Sequence, residues 1–230
     1  LPLAAEPARD VLAGGPQARD ARVVAAYDAV ADDYAAHYGA ELDDKPFDRW
    51  LLGRIAELAG GRPIADVGCG TGHVTAHLKS LGARALGFDL SPAMVERARA
   101  DFPGLRFEVG DLRRLPRPDA GWGAIVAHVA LVHLSPTELP DAVAALARAL
   151  GPGGWLSIAL HAGRDVRHLD RWWGHDVDLD VVEHDPAAVR AAASGAGLEV
   201  AEWYLRGPLA DVEADTERLY VLAHSPEERR

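Results

Sequence analysis

Seven residues, Asp66-Val67-Gly68-Cys69-Gly70-Thr71-Gly72, constrain this chain more than any other stretch: three glycines at alternate positions separate a short apolar run, Ile64-Ala65, from a helix-like segment, Gly72 to Leu81. Glycine has no Cβ, so it turns sharply with positive φ and lets a ligand approach the backbone. The helix that follows aims its unpaired N–H groups and the positive end of its dipole at the same spot. The loop therefore reads as the seat of a nucleotide-type cofactor. Its spacing argues against a dinucleotide, because the G-x-G-x-x-G fingerprint would place its third glycine at position 73, which is His73.

The order D-x-G-x-G-x-G, with an acid closing the strand, resembles the glycine loop of class I S-adenosylmethionine-dependent methyltransferases. That cofactor has an amino-acid end, a sulfonium and an adenosine, so its loop needs backbone room and a carboxylate rather than a phosphate cradle. The resemblance implies a cofactor site at Asp66, Gly68, Cys69, Gly70 and Gly72. Downstream, Ala83 to Asp89 reads as a second strand ending in a carboxylate 17 residues after Gly72. Asp89, followed by Leu90, is the expected ribose ligand. Ser91-Pro92 caps the next helix, and Met94 lies where such families rest an apolar side chain on the adenine. Leu105 to Val109 reads as a third strand running into Gly110-Asp111-Leu112, where Asp111 is expected to take the adenine amino group and the Leu112 N–H to reach the ring. His128 and Tyr34, the latter on a helix corresponding to the N-terminal lid of these enzymes, complete the implied set. Each acid also has a plainer reading as a turn or surface residue. Their succession in this order favours the site.

Bulk properties agree with one globular enzyme domain. The 230 residues are 49% hydrophobic, enough for one substantial core without staples. Against 35 acidic residues stand 24 basic ones, a net charge of −11 that disfavours a nucleic-acid substrate. Cys69 is the single cysteine, so neither a disulfide nor a CxxC metal pair exists, and no metal is expected. Without a long apolar run or a leader-like start, the expectation is a cytoplasmic protein with a small-molecule partner and no membrane. A homodimer is compatible with these features.

Residues 1–20 lack an apolar period and read as a mobile tail, 21–225 as one domain, and 226–230 as a second tail. Helical periods run from Arg22 to His37 and from Asp44 to Ala59. Gly123 to Val129 is a buried fourth strand. Ser135-Pro136-Thr137-Glu138 reads as a capping box opening a helix that ends before Gly151 as C′, and Gly154 to Leu160 as strand five. Asp185-Pro186 opens another capped helix, followed by strand-like Leu198 to Leu205 and Arg218 to His224. The alternation predicts an α/β, doubly wound, Rossmann-like, mainly parallel sheet with helices on both faces, an N-terminal helical lid and an antiparallel last strand. The resemblance, over about Arg22 to Ala223, implies seven strands in the order 3-2-1-4-5-7-6 and is nearest to small bacterial stand-alone enzymes acting on small molecules.

Ligands of open α/β sheets lie beyond the carboxyl ends of the strands, which brings His128, His133 and His161 forward. His133 and His161 are the candidate catalytic bases and acceptor contacts, with structural histidines as the alternative. The segment 161–185 reads as a substrate-side insertion in which Trp172 and Trp173 could stack a flat acceptor. Arg164, Arg167 and Arg171 there could hold an anionic group. The expected function is methyl transfer from S-adenosyl-L-methionine, giving S-adenosyl-L-homocysteine, to a small-molecule oxygen, with nitrogen as the alternative acceptor. A noncatalytic binding module and an NAD(P)-dependent oxidoreductase are the rival functions.

Overall fold

The computed structural model describes residues 10–227. Seven strands form one sheet: β1 (Ile64–Val67), β2 (Ala85–Asp89), β3 (Arg106–Val109), β4 (Trp122–His128), β5 (Leu150–Ala162), β8 (Glu199–Arg206) and β9 (Glu217–His224), in the order β3-β2-β1-β4-β5-β9-β8. β1 to β5 pair in parallel, and β9 runs antiparallel to both β5 and β8. This is the expected order with its antiparallel last strand.

The short central strands are buried on both faces, as parallel strands under helices must be. Ile64, Ala124 and Val126 pack with Leu51, Leu52 and Ile55 of α2 (Pro46–Leu58) and Leu78 of α3 (His73–Ser80). Their alternate neighbours Ala65, Val67 and Ile125 pack with Val143 and Leu146 of α5 (Leu139–Ala149) and Val189 of α6 (Pro186–Gly195) on the opposite face. α4 (Pro92–Asp101) follows β2. It begins as expected, with Ser91 Oγ accepting the Met94 N–H at 3.1 Å.

Three expectations are corrected, and one element is added. α1 spans Pro16–Tyr38, so residues 16–20, assigned to a tail, belong to a helix. Its first turn is held by Arg19, 2% exposed, whose guanidinium donates to both Glu138 carboxylate oxygens at 2.9 Å; a polar anchor leaves no apolar period to detect. Residues 1–9 and 228–230 of the two tails lie outside the described residues. Second, Glu138 does accept the Ser135 N–H at 3.0 Å, but α5 itself starts at Leu139. Third, α5 does end before Gly151, with Leu150 as its C-cap, but Gly151 does not take the left-handed turn of a C′ glycine; it lies on β5, where an added Cβ would sit 2.2 Å from the Ala120 carbonyl oxygen.

Finally, the insertion contains an antiparallel hairpin, β6 (Val166–Trp172) with β7 (His175–Val182). β7 packs against α1, aided by a His175 Nε2 to Asp33 Oδ2 contact of 2.8 Å. Helix and hairpin together wall the carboxyl ends of the central strands. None of the described helices is long and apolar enough to cross a membrane.

Candidate functional site

The glycine loop links β1 to α3. Gly68 has φ +69°, and an added Cβ would stand 2.5 Å from Ala130 Cβ, so glycine is required twice over. Gly72, at φ 90°, caps α3 and packs against Phe107, away from either cavity described below. Beneath the loop, buried Asp66 accepts the Thr75 hydroxyl at 2.6 Å, and burial pushes its carboxyl up to about 6. At the end of β2, Asp89 accepts the Gly70 N–H on Oδ2 at 2.8 Å and the Ser91 N–H on Oδ1 at 2.9 Å, which holds the carboxylate against the loop. Asp111, after β3, accepts the Arg113 N–H at 2.9 Å and pairs with its guanidinium.

Two cavities meet above these acids. The smaller, about 110 Å³, is lined by Gly70, Asp89, Leu90, Asp111, Leu112 and His133 among others. The larger, about 310 Å³, takes in Asp66, Cys69, His161, Arg167 and Trp172. Tyr27, Tyr34, Gly68, His128 and Val129 line both. Tyr34 leans over the loop, 3.5 Å from where a Cβ on Gly70 would lie. Val129, just past β4, holds φ 56°, a left-handed conformation costly for a β-branched residue.

Several expected residues lie elsewhere. Met94 is fully buried against Val30 and Ala31 of α1 and lines neither cavity, because the third position after the Ser91 cap faces inward; Leu90 and Leu112 supply the apolar surface instead. Trp173 stacks on His37 with centroids 4.3 Å apart, outside both cavities. Arg164 is exposed and pairs with Asp185, and Arg171 lies 3.6 Å from Asp176 at the surface.

The three histidines are chemically distinct. His133 is 8% exposed with both ring nitrogens engaged: Nδ1 lies 2.7 Å from the Asp180 carbonyl, which can only accept, so Nδ1 donates and Nε2 receives the Tyr27 hydroxyl at 2.9 Å. His128 Nε2 lies 3.1 Å from Ser157 Oγ, and His161 Nδ1 lies 2.7 Å from Thr216 Oγ1. Burial is the chief cause that pushes all three down to about 4, so each is neutral near pH 7.

Sequence reasoning did not find Tyr27 or the charged rear wall of the larger cavity. Tyr27 had a signal, since it lies seven residues before Tyr34 on one helical face. The rear wall had none: Glu213 meets Arg206 at 2.6 Å, and Tyr220 meets Asp48 at 3.1 Å, pairs set only by the folded sheet. Burial pushes Glu213 up, yet its bonds to Arg206 hold it down to about 2.

Residues 64–154, from β1 into β5, match the family model described as a methyltransferase domain. In that domain the chain is similar to the class I S-adenosylmethionine-dependent methyltransferases. Two curated members that it resembles are the malonyl-[acyl-carrier protein] O-methyltransferase of Serratia marcescens, 29% identical over 66% of this chain and 57% of that protein, and the trans-aconitate 2-methyltransferase of Methylobacterium nodulans, 34% identical over 64% and 54%. The chain thus spans little more than half the length of these relatives. The solved magnesium protoporphyrin IX methyltransferase of Synechocystis, which holds S-adenosylhomocysteine, superimposes with a TM-score of 0.68 over 90% of this chain and 99% of that one at 16% identity, a likeness of fold.

In this methyltransferase domain the residues fit the family's cofactor by their own chemistry. Acids end or follow β1, β2 and β3 around one glycine loop, and the buried Thr71 hydroxyl in that loop has no partner among the described residues.

Proposed function

We propose that this chain binds S-adenosylmethionine across the two cavities and transfers its methyl group to a small molecule held in the larger one. The observation that carries the reading is the junction: the cavity lined by Asp89 and Asp111 opens beside the acceptor-sized cavity at Tyr27, Tyr34 and Val129, where a reacting methyl must stand. In this reading Asp66 faces the cofactor's ammonium, Asp89 its ribose and Asp111, with Leu90 and Leu112, its adenine. Bound there, the cofactor supplies an electrophilic sulfonium methyl. The protein's part is to align the acceptor and exclude water; Tyr27, Tyr34 and Trp172 form the wall that does so.

Oxygen is the acceptor the sequence favours, but an oxygen acceptor that must lose a proton needs a base. His133 is poorly suited to that role, since Nε2 already receives the Tyr27 hydroxyl and Nδ1 carries its own hydrogen. His161, in the larger cavity, is the other candidate.

Calorimetric titration with S-adenosylmethionine, S-adenosylhomocysteine and reduced nicotinamide dinucleotide tests the reading. Saturable binding of the two sulfur compounds, weakened about tenfold or more in Asp89→Ala, is the expected result. Binding of the dinucleotide alone would sink it in favour of an oxidoreductase.

A further inference from the structure

The wall of the larger cavity specifies what the cavity can hold, granted the methyltransferase reading above. Three cations line it: Lys45, Arg167 and Arg218. Lys45 pairs with Glu41 at 2.6 Å and lies 3.9 Å from Glu213. Arg167 lies 3.3 Å from Glu183 and donates to the Asp215 carbonyl at 2.9 Å. Arg218, only 7% exposed, donates to the Thr216 carbonyl at 2.7 Å and to the Thr216 hydroxyl, with Nε 3.8 Å from Glu213. Every cation of this wall is already committed to a partner of this chain. An incoming carboxylate or phosphate would enter a chamber whose cations are all spent and whose wall also carries Glu41, Glu183 and Glu213, and burying an unpaired charge is costly.

Arg218 also bears on His161. Thr216 Oγ1 accepts from Arg218 and lies 2.7 Å from His161 Nδ1, so one nitrogen of that ring is engaged. Burial, with the cations Arg218 and Arg167 beside it, pushes His161 down to about 4. It is a weak proton acceptor. With His133 spent on Tyr27 and Asp180, neither candidate base is poised to take a proton from an acceptor.

Opposite these groups, three rings meet edge to face: Tyr27 and Trp172 with centroids 5.5 Å apart, Tyr27 and Tyr34 at 5.9 Å, and Tyr34 and Trp172 at 6.0 Å. Such a corner takes a flat ring, and aromatic faces stabilise positive charge.

We propose that the acceptor is a flat, uncharged aromatic nitrogen base, a ring nitrogen or an aryl amine, and not a carboxylate, a phosphate ester or a hydroxyl that the protein must deprotonate. The nitrogen lone pair forms the new bond to the methyl carbon as the carbon–sulfur bond breaks and its electron pair passes to sulfur, leaving a thioether. The positive charge moves from sulfur to nitrogen, where the aromatic corner stabilises it; an aryl amine then releases its N–H proton to water.

The test uses the full chain saturated with S-adenosylhomocysteine and titrated with quinoline, N-methylquinolinium, 1-naphthol and 1-naphthoate, four bicyclic probes of similar size. Quinoline and N-methylquinolinium are expected to bind at least tenfold more tightly than 1-naphthoate. With labelled S-adenosylmethionine, quinoline is expected to be methylated faster than 1-naphthol; where neither turns over, the binding order decides. Tighter or equal binding of 1-naphthoate, faster methylation of 1-naphthol, or binding of none of the four overturns the acceptor class. Failure to bind S-adenosylhomocysteine overturns the methyltransferase reading itself, so the two failures are distinguishable.

Discussion

Tyr27 on α1 and His133 in the loop after β4, 106 residues apart in sequence, share a 2.9 Å hydrogen bond that joins the helical wall to the sheet. The same imidazole donates to the Asp180 carbonyl on β7, so one ring holds helix, loop and hairpin together. Burial, with Asp89 next, raises the Tyr27 hydroxyl well above its ordinary pKa, which keeps it a hydrogen-bond donor.

Removal of that donor in Tyr27→Phe is expected to lower stability by about 1–2 kcal/mol, because the buried His133 Nε2 loses its partner. Thermal melting measures this. The pH dependence of turnover should keep its shape; loss of a limb in the pH profile would return His133 to the role of base.

Arg19→Ala removes the guanidinium from the Glu138 carboxylate, which keeps only the Ser135 donors, and from the His133 carbonyl, which Arg19 reaches at 2.6 Å. Loss of one partner from a largely buried pair is expected to cost about 3 kcal/mol. Proteolysis should then cut within the first turns of α1 before the sheet is attacked. A mutant as stable and as resistant as the parent would show that the helix is held by its apolar face alone.

Cofactor affinity is expected to rise with pH around Asp66. Burial lifts this carboxyl to about 6, and the cofactor's ammonium prefers the ionised form, so affinity should tighten about tenfold between pH 5 and 7. Asp66→Asn should flatten that dependence in calorimetry. Without ligand the sign is opposite: a carboxyl raised above its unfolded value contributes stability at low pH and loses it as pH rises through about 6.

Acid should nevertheless destabilise the domain. His128, His133 and His161 are depressed to about 4 mainly by burial, so each contributes stability above the ordinary histidine value that disappears as pH falls from about 6.5 to 4. Three such groups oppose Asp66 and Asp89, the two site carboxyls that burial raises. Melting temperatures should therefore fall steadily from pH 7 to pH 4.5, and a flat profile would mean that these rings are solvated.

Local signals made most of the sheet legible. The glycine spacing, the acids at Asp89 and Asp111, and the Ser91 and Asp185 caps are written within a few residues of where they act. The hairpin was also written, since His175-Asp176-Val177-Asp178-Leu179-Asp180 alternates strictly, but the abundance of Arg, His and Trp drew attention to binding rather than period. Met94 was misplaced because position in the chain does not say which side of a helix meets α1. What no local pattern carries is the partner at a distance: Arg19 with Glu138, Thr216 with His161, Tyr27 with His133. Those bonds make His133 a fixed post and engage one ring nitrogen of His161.

Val129 gives the site a built-in spring. Its N–H donates to the Ala159 carbonyl at 2.7 Å while its φ stays at 56°, and it is 43% exposed beside both cavities, so the contorted peptide is held where two ligands would touch. Glycine accepts that backbone shape without penalty, and Val129→Gly should relax it, gaining up to about 1 kcal/mol of stability. Its extra freedom would blur the boundary between the chambers. Selection for a tougher protein and selection for a faster one would then pull on this residue in opposite directions.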